Sequence, residues 1–261
     1  MKRDLRNRLY IATMCENWES IANEYGIGLE IDHFCQAENM EGQQGEETKA
    51  AVKKLLETHR AGVFHAPFNE LFPAAIDVKA RELAMERLNA AASIAQAFDI
   101  KKMVVHSGYV PFVYFKSWQV ERSIEFWSQF LEDKPSDFEV AIENVLEEEP
   151  SMLVEIARGV NLPNLGLCFD VGHANVTANA YAAKGASIDE WFEHMAPYLK
   201  HLHIHNNDGK GDYHRDFGDG NIDVEDLLTK VTGNCLEETT ITAETIYGEE
   251  SFKWLKERDF I

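Results

Sequence analysis

Eight short apolar runs recur along this chain, each followed by a helix-like stretch, and no other feature constrains the fold so tightly. The runs are Leu9–Thr13, Gly28–Phe34, Gly62–Pro67, Met103–Ser107, Phe138–Val145, Leu165–Val171, Leu199–His205 and Thr240–Ile246. Near-continuous hydrophobic runs such as Leu165-Gly166-Leu167-Cys168-Phe169 are the pattern of parallel strands buried on both faces. Between them, apolar residues fall at helical spacing, most clearly over Ile76–Phe98. Further helical stretches are predicted at Glu46–Arg60, Trp118–Leu131, Met152–Arg158, Ile188–Tyr198, Val224–Val231 and Ser251–Arg258, with Ser151 and Asp223 placed to act as N-caps. Strands alternating with helices build either a closed barrel or a doubly wound open sheet. No Gly-x-Gly-x-x-Gly follows the first run, which removes support for a dinucleotide-binding sheet. Eight repeats in 261 residues match the usual size of one (β/α)8 TIM barrel, and the expectation is a single α/β domain over residues 1–261.

What each run ends with matters as much as the run itself. The third ends at His65, the fourth at His106, the fifth at Glu143-Asn144, the sixth at Asp170-Val171-Gly172-His173, the seventh at His205 and the eighth at Glu244; Asp212-Tyr213-His214 follows the seventh. A lone histidine after a strand is ordinarily a hydrogen-bonded structural residue, and the weight lies in the joint pattern. In a barrel those six strand ends converge on one cup. Five histidines and four carboxylates there, with few basic residues nearby in sequence, would leave buried negative charge that divalent cations neutralise. A nitrogen and oxygen ligand mix suits Zn²⁺, Mn²⁺ or Fe²⁺ better than Ca²⁺. His201 and His203 share the alternation of His205 but lie earlier in the run, and are read as lower-layer, structural residues. Glu30 and Asp32 end the second run and can face the cup as substrate contacts. The turn Phe217–Asp223 is glycine-rich and precedes a helix, a weak anion-binding pattern.

Composition narrows the partners. Asp and Glu outnumber Lys and Arg by 45 to 25, giving a net charge of −20 that repels nucleic acid and anionic membranes at long range. No apolar run approaches the roughly 18 residues of a membrane span, and Met1-Lys2-Arg3-Asp4 leads into no secretory segment, so a cytoplasmic location is expected. Cys15, Cys35, Cys168 and Cys235 form no C-x-x-C pair and are expected to be reduced thiols.

Taken together, His65-Ala66-Pro67, Ala141-Ile142-Glu143-Asn144, Phe169-Asp170-Val171-Gly172-His173, His205-Asn206-Asn207-Asp208, Asp212-Tyr213-His214 with Gly218-Asp219-Gly220, and Glu244-Thr245 resemble the xylose isomerase-like barrel superfamily, which holds sugar-phosphate isomerases and epimerases and the endonuclease IV group. The resemblance runs from the second strand to the eighth. By likeness to endonuclease IV, His65, His106 and Glu143 would hold one zinc ion. Glu143, Asp170, His205 and Glu244 would hold a second, and His173, Asp212 and His214 a third. By likeness to the isomerases, one metal sits on Glu143, Asp170, His205 and Glu244, the two glutamates act as acid and base, and His173 binds substrate. One to three ions per chain are therefore implied, zinc foremost and manganese or iron as alternatives.

Two reactions remain. A sugar or sugar-phosphate isomerase or epimerase would use Glu143 and Glu244 as proton carriers, with metal-assisted acidification of the C–H bond. A multi-zinc phosphoester hydrolase, acting on a small phosphoester in preference to abasic DNA, would use His65, His106, Asp212 and His214, which a one-metal isomerase does not need; three divalent ions against four carboxylates leave a cup of net positive charge. Against duplex DNA as substrate, the loops after the second and third runs are short, and Gln36–Glu47 is acidic with no basic footprint. The first reading, on a small-molecule substrate, is preferred; oligomeric state is not readable.

Overall fold

In the computed structural model, which describes residues 4–181, 185–233 and 238–261, eight parallel strands close into a barrel in the order β1 to β8, β8 pairing with β1. The elements run β1 (Leu9–Ala12), α1 (Trp18–Tyr25), β2 (Gly28–Ile31), α2 (Gly42–Leu55), β3 (Ala61–His65), α3 (Val78–Ala97), β4 (Lys102–His106), α4 (Lys116–Leu131), β5 (Glu139–Glu143), α5 (Ser151–Val160), β6 (Leu165–Asp170), α6 (Val171–Ala180), α7 (Ile188–Met195), β7 (Leu199–Ile204), α8 (Val224–Gly233), β8 (Thr240–Ala243) and α9 (Glu249–Glu257). The predicted barrel is present, with strands somewhat shorter than the apolar runs because the polar ends turn out into the loops that carry the chemistry.

Two helices escape the periodicity argument. α1 is only eight residues, and α6 opens directly on the last residue of β6 with Gly172, β-branched Val176 and Thr177, a composition of weak helix formers. It forms because Asp170 caps it: the carboxylate accepts from the His173 amide at 2.7 Å. Asp223 caps α8 as anticipated, accepting from the Asp226 amide at 3.0 Å. Ser151 does not cap α5. It is the first helical residue, Pro150 stands at the N-cap position, and the Ser151 amide donates to the Glu149 carboxylate at 2.8 Å.

The main core lies between barrel and helices, where Phe34 stacks on Phe64 and Trp127 packs edge-on to Phe126 and Phe130. Each such fully buried side chain contributes about 1.5–3 kcal/mol. Inside the barrel, Tyr10, Val63, Val104, Ala141 and Cys168 form a separate apolar layer. Gly28 and Gly62 are required there, since a Cβ on either would come within 2.5 Å of the Tyr10 ring. This layer supports the polar residues above it. Cys15, Cys35 and Cys168 are free thiols; Cys235 lies outside the described residues. Among the described residues no helix is long and apolar enough to cross a membrane.

Candidate metal centre

The strand register brings the sequence-predicted residues to one end of the barrel. β4 pairs with β5 so that His106 lies beside Glu143. Glu143 Oε2 is 3.3 Å from His65 Nε2 and 3.5 Å from His106 Nε2, the first of the expected groups. At the rim, Asp212 Oδ2 is 3.3 Å from His173 Nε2 and 3.1 Å from His214 Nε2, the expected third group. Between them, Glu143, Asp170 and Glu244 face one another. His205 Nε2 stands 3.3 Å from Asp170 Oδ1 and 3.4 Å from Asp212 Oδ1, so it joins the middle group to the rim.

Backbone carbonyls fix three of the rings. His65 Nδ1 donates to Ala66 O at 2.9 Å, His173 Nδ1 to Asn144 O at 2.9 Å and His214 Nδ1 to Glu244 O at 2.6 Å. A carbonyl only accepts, so Nδ1 carries a proton and each Nε2 faces the cup. Asn144 locks β5 to β6, donating to Asp170 O and accepting from Asp170 N, both at 2.8 Å. Asn206 organises the loop after β7: its side chain donates to Phe217 O and Ile222 O and accepts from the Asn207 and Ile222 amides. The glycine-rich turn Phe217–Asp223 therefore spends backbone groups on Asn206, and that loop holds Asp212 and His214 in place.

The structure departs from the sequence reading at His203. Rather than a filler in the layer below, its Nδ1 lies 3.3 Å from Glu143 Oε1, 3.4 Å from Glu244 Oε1 and 3.8 Å from Asp170 Oδ2. His201 does sit lower, its Nδ1 2.6 Å from Thr240 Oγ1. Glu30 is fully buried, with its oxygens 3.1 and 3.2 Å from His203 Nε2 and 3.2 Å from His201 Nε2, so it lies beneath the cup rather than at its mouth. Asp32 accepts from Thr13 Oγ1 and the Met14 amide.

The electrostatics separate two buried glutamates. Burial pushes the Glu244 carboxyl up to about 8, helped by repulsion from Glu143 and Glu30 and opposed by His203. Burial acts on Glu143 too, but the neighbouring His203, His106 and His173 pull it well below the usual carboxylate range. Burial drives His106 down to about 3, leaving it neutral and ready to coordinate. At the rim, burial favours neutral His214, yet its hydrogen bond to Asp212 and the charges of Glu244 and Asp212 win and raise it to about 9.

The residues fit a divalent ion. Among the described residues, five buried polar atoms of this site lack a hydrogen-bond partner: Glu143 Oε2, Asp170 Oδ2, His203 Nδ1 and both nitrogens of His205. Unpaired buried polar atoms cost about 1–3 kcal/mol each, so this concentration needs a compensating partner that side chains do not supply. Among the described residues, groups in which one donor atom per residue lies within 4.8 Å of the others include Glu143, Asp170, His203 and Glu244; His65, Glu143 and His203; and His205, Asp212 and His214. The oxygen and imidazole donors match zinc, manganese or ferrous iron.

Residues 22–261 match the family model described as the xylose isomerase-like TIM barrel. The chain belongs to that family. A curated relative, an uncharacterised protein of Methanocaldococcus jannaschii, is 32% identical over 178 residues, covering 65% of this chain and 59% of the relative. A second from the same organism is 25% identical, and the chain spans 62% of its length, so both relatives extend well beyond the matched part. Among solved structures, a D-tagatose 3-epimerase-like protein superposes with a TM-score of 0.74 at 24% identity, covering 96% of each chain. A Thermus thermophilus protein soaked with ZnCl2 also gives 0.74, at 22% identity over 96% and 97%. At these identities the two structures establish the shared barrel.

Proposed function

We propose that this xylose isomerase-like barrel is a divalent-metal-dependent isomerase or epimerase of a small sugar or sugar phosphate. The observation that carries the reading is the pair of buried carboxylates, Glu143 and Glu244, facing one space across His203 with opposite proton affinities. Two carboxyls whose environments push them apart are what an acid–base pair requires. Glu143, Asp170 and Glu244, with an imidazole from β7, would hold the ion that acts on the substrate. When bound there, a divalent ion supplies polarisation of a carbonyl and its neighbouring hydroxyl, acidifying the C–H bond between them. Glu143 then takes the proton and Glu244 returns one, on the same carbon for epimerisation or the adjacent carbon for isomerisation. His173 orients the substrate's far end, and the rim residues Asp212 and His214 would hold an outer ion beside it.

One observation favours a second reading, phosphoester hydrolysis. The first group, His65 and His106 on Glu143, and the rim group, His173 and His214 on Asp212, exceed what a single ion needs. Proton exchange from D2O into candidate ketoses, followed by NMR, tests the proposal: exchange that depends on added metal and falls at least 100-fold in Glu244→Gln supports it. Release of nitrophenol from a phosphodiester without any exchange overturns it in favour of hydrolysis.

A further inference from the structure

We propose that this chain pairs with a second copy of itself through the loops after β3 and β4, each copy setting Phe112 and Phe115 into the groove between α3 and α4 of the other. The pairing is independent of the metal centre and of the reaction.

In a chain whose residues are 27% charged and whose net charge is −20, two loops carry no charged residue over Leu71–Ile76 and Ser107–Phe115. They are packed as one unit. Gly108, at φ +67, comes so close to Pro73 and the Leu71 carbonyl that a Cβ would meet them at 2.7 and 2.9 Å. Trp118 Nε1 donates to Ala74 O at 2.8 Å. The unit exposes Ile76 at 66%, Phe112 at 93%, Val113 at 64% and Phe115 at 84%, and Val78, the first residue of α3, adds another 55%. Apolar residues scattered singly over a surface are ordinary, but a group of five on joined loops marks a docking face. One ring is held outward against backbone preference. Phe112 has φ +65, a left-handed conformation that bulky side chains rarely adopt, and its ring meets Tyr181 at 6.2 Å between centroids. Strain of this kind gathers at functional positions, where the surrounding structure enforces it.

A receptor lies beside these rings. α3 and α4 leave a groove of about 510 Å³ between them, lined by Val78, Met85 and Phe126 and by Arg81, Glu82 and Arg122. A cavity of about 150 Å³ accepts a benzene ring, so this groove has room for two phenyl groups. Phe115 directly precedes α4, whose Arg122 and Phe126 line the groove, yet its exposure shows that it does not fill its own. Knob and groove on one side of the molecule suit a two-fold interface, because the rotation that seats one copy's rings seats the other's in return.

Charge and area favour a second copy over a membrane. Lys116, the cation next to the exposed rings in sequence, is held 2.9 and 2.7 Å from Glu148 and Glu149 rather than offered to lipid phosphate. The groove presents both signs, Arg81 and Arg122 with Glu82, so identical faces turned against each other can match Arg to Glu. A buried phenylalanine covers about 150–250 Å², so two of them with Val113, Ile76 and Val78 supply on the order of 600–800 Å² a side, close to the roughly 800 Å² of a standard interface.

Sedimentation velocity and native mass spectrometry of the full chain at micromolar concentration should show two copies. Phe112→Glu and Phe115→Glu in the knob, and Val78→Asp in the groove, should each weaken association about 100-fold or more. All three should leave Tm and metal content unchanged, since the positions are exposed and an acid at the start of α3 suits the helix dipole. A single chain at every concentration refutes the pairing. So does a dimer that survives all three substitutions, which would use another face, and an open ladder of sizes contradicts the two-fold exchange. A single chain that floats with phosphatidylcholine vesicles, and no longer does so as Phe115→Glu, overturns the proposal in favour of a membrane surface.

Discussion

Gly172→Ala puts two opposing effects in competition, and their magnitudes decide the outcome. Glycine near the start of α6 forgoes helix propensity, and alanine would recover at most about 1 kcal/mol. Its Cβ, however, would lie 1.9 Å from His205 Cε1 and 2.3 Å from Nε2. Restoring ordinary van der Waals contact at 3.4 Å moves the ring by about 1.5 Å. The ring is fully buried and stacked on His214, so the displacement is resisted on the side of the rim group. Overpacking of this kind costs about 1–3 kcal/mol, which leaves a net cost of about 0–2 kcal/mol and should lower Tm by up to roughly 8 °C. A ligand shifted that far should also weaken the rim ion about tenfold or more, while the carboxylate-rich site deeper in the barrel keeps its affinity. Thermal melts of the metal-free variant and a competitive Zn²⁺ titration of the loaded one read both effects. A variant with unchanged or raised Tm and full affinity in every class of site would show that His205 is not held against the start of α6.

The rim should also govern the pH response of the metal-free chain. His214 and Glu244 both bind protons more tightly folded than unfolded, with folded values about 9 and about 8, so each contributes stability below its ordinary pKa of 6.5 or 4.5 and loses it as pH rises. Metal-free Tm should therefore fall between about pH 6.5 and 9; a rise across that window contradicts the assigned partners. Because the His214 proton must leave before the ring coordinates, metal affinity should increase over the same interval, measurable by titration at several pH values. Asn206→Ala removes the side chain that binds Phe217, Ile222 and Asn207, and should cost about 2–4 kcal/mol from groups left unpaired, with selective weakening of the rim ion; equal weakening of all sites contradicts the role given to that loop. Stripping metal with a chelator should remove about 2.7 kcal/mol of stability relative to protein at 100 times Kd, seen as a fall in Tm that added Zn²⁺ reverses.

Much of this architecture is legible in the sequence because parallel barrel strands are unusually explicit: Val104-Val105 or Leu165–Phe169 must be buried on both faces, and the polar residue that ends each run marks the same end of the barrel. The groups His65–His106–Glu143 and His173–Asp212–His214 could be inferred from that rule and from family likeness. Depth along the barrel axis could not. His201, His203 and His205 share one face by alternation, and which of them reaches the carboxylates depends on strand tilt and register, including the shift between Leu167 and Cys168 opposite β7. The same holds for Glu30, whose strand carries a shift between Leu29 and Glu30 and which ends beneath the histidines. α6 stayed hidden for a different reason: its start is set by the Asp170 cap rather than by a run of helix-forming residues.

Metal analysis of the protein purified without chelator tests the central claim most directly, that side chains from six strands and one loop converge to hold divalent cations. At least one equivalent of zinc, manganese or iron per chain is expected, with the loss of at least one equivalent in Glu143→Gln, whose carboxylate both the first and the central groups share. A chain that emerges empty, takes up no Zn²⁺, Mn²⁺ or Fe²⁺ on dialysis and melts identically with and without them would contradict it.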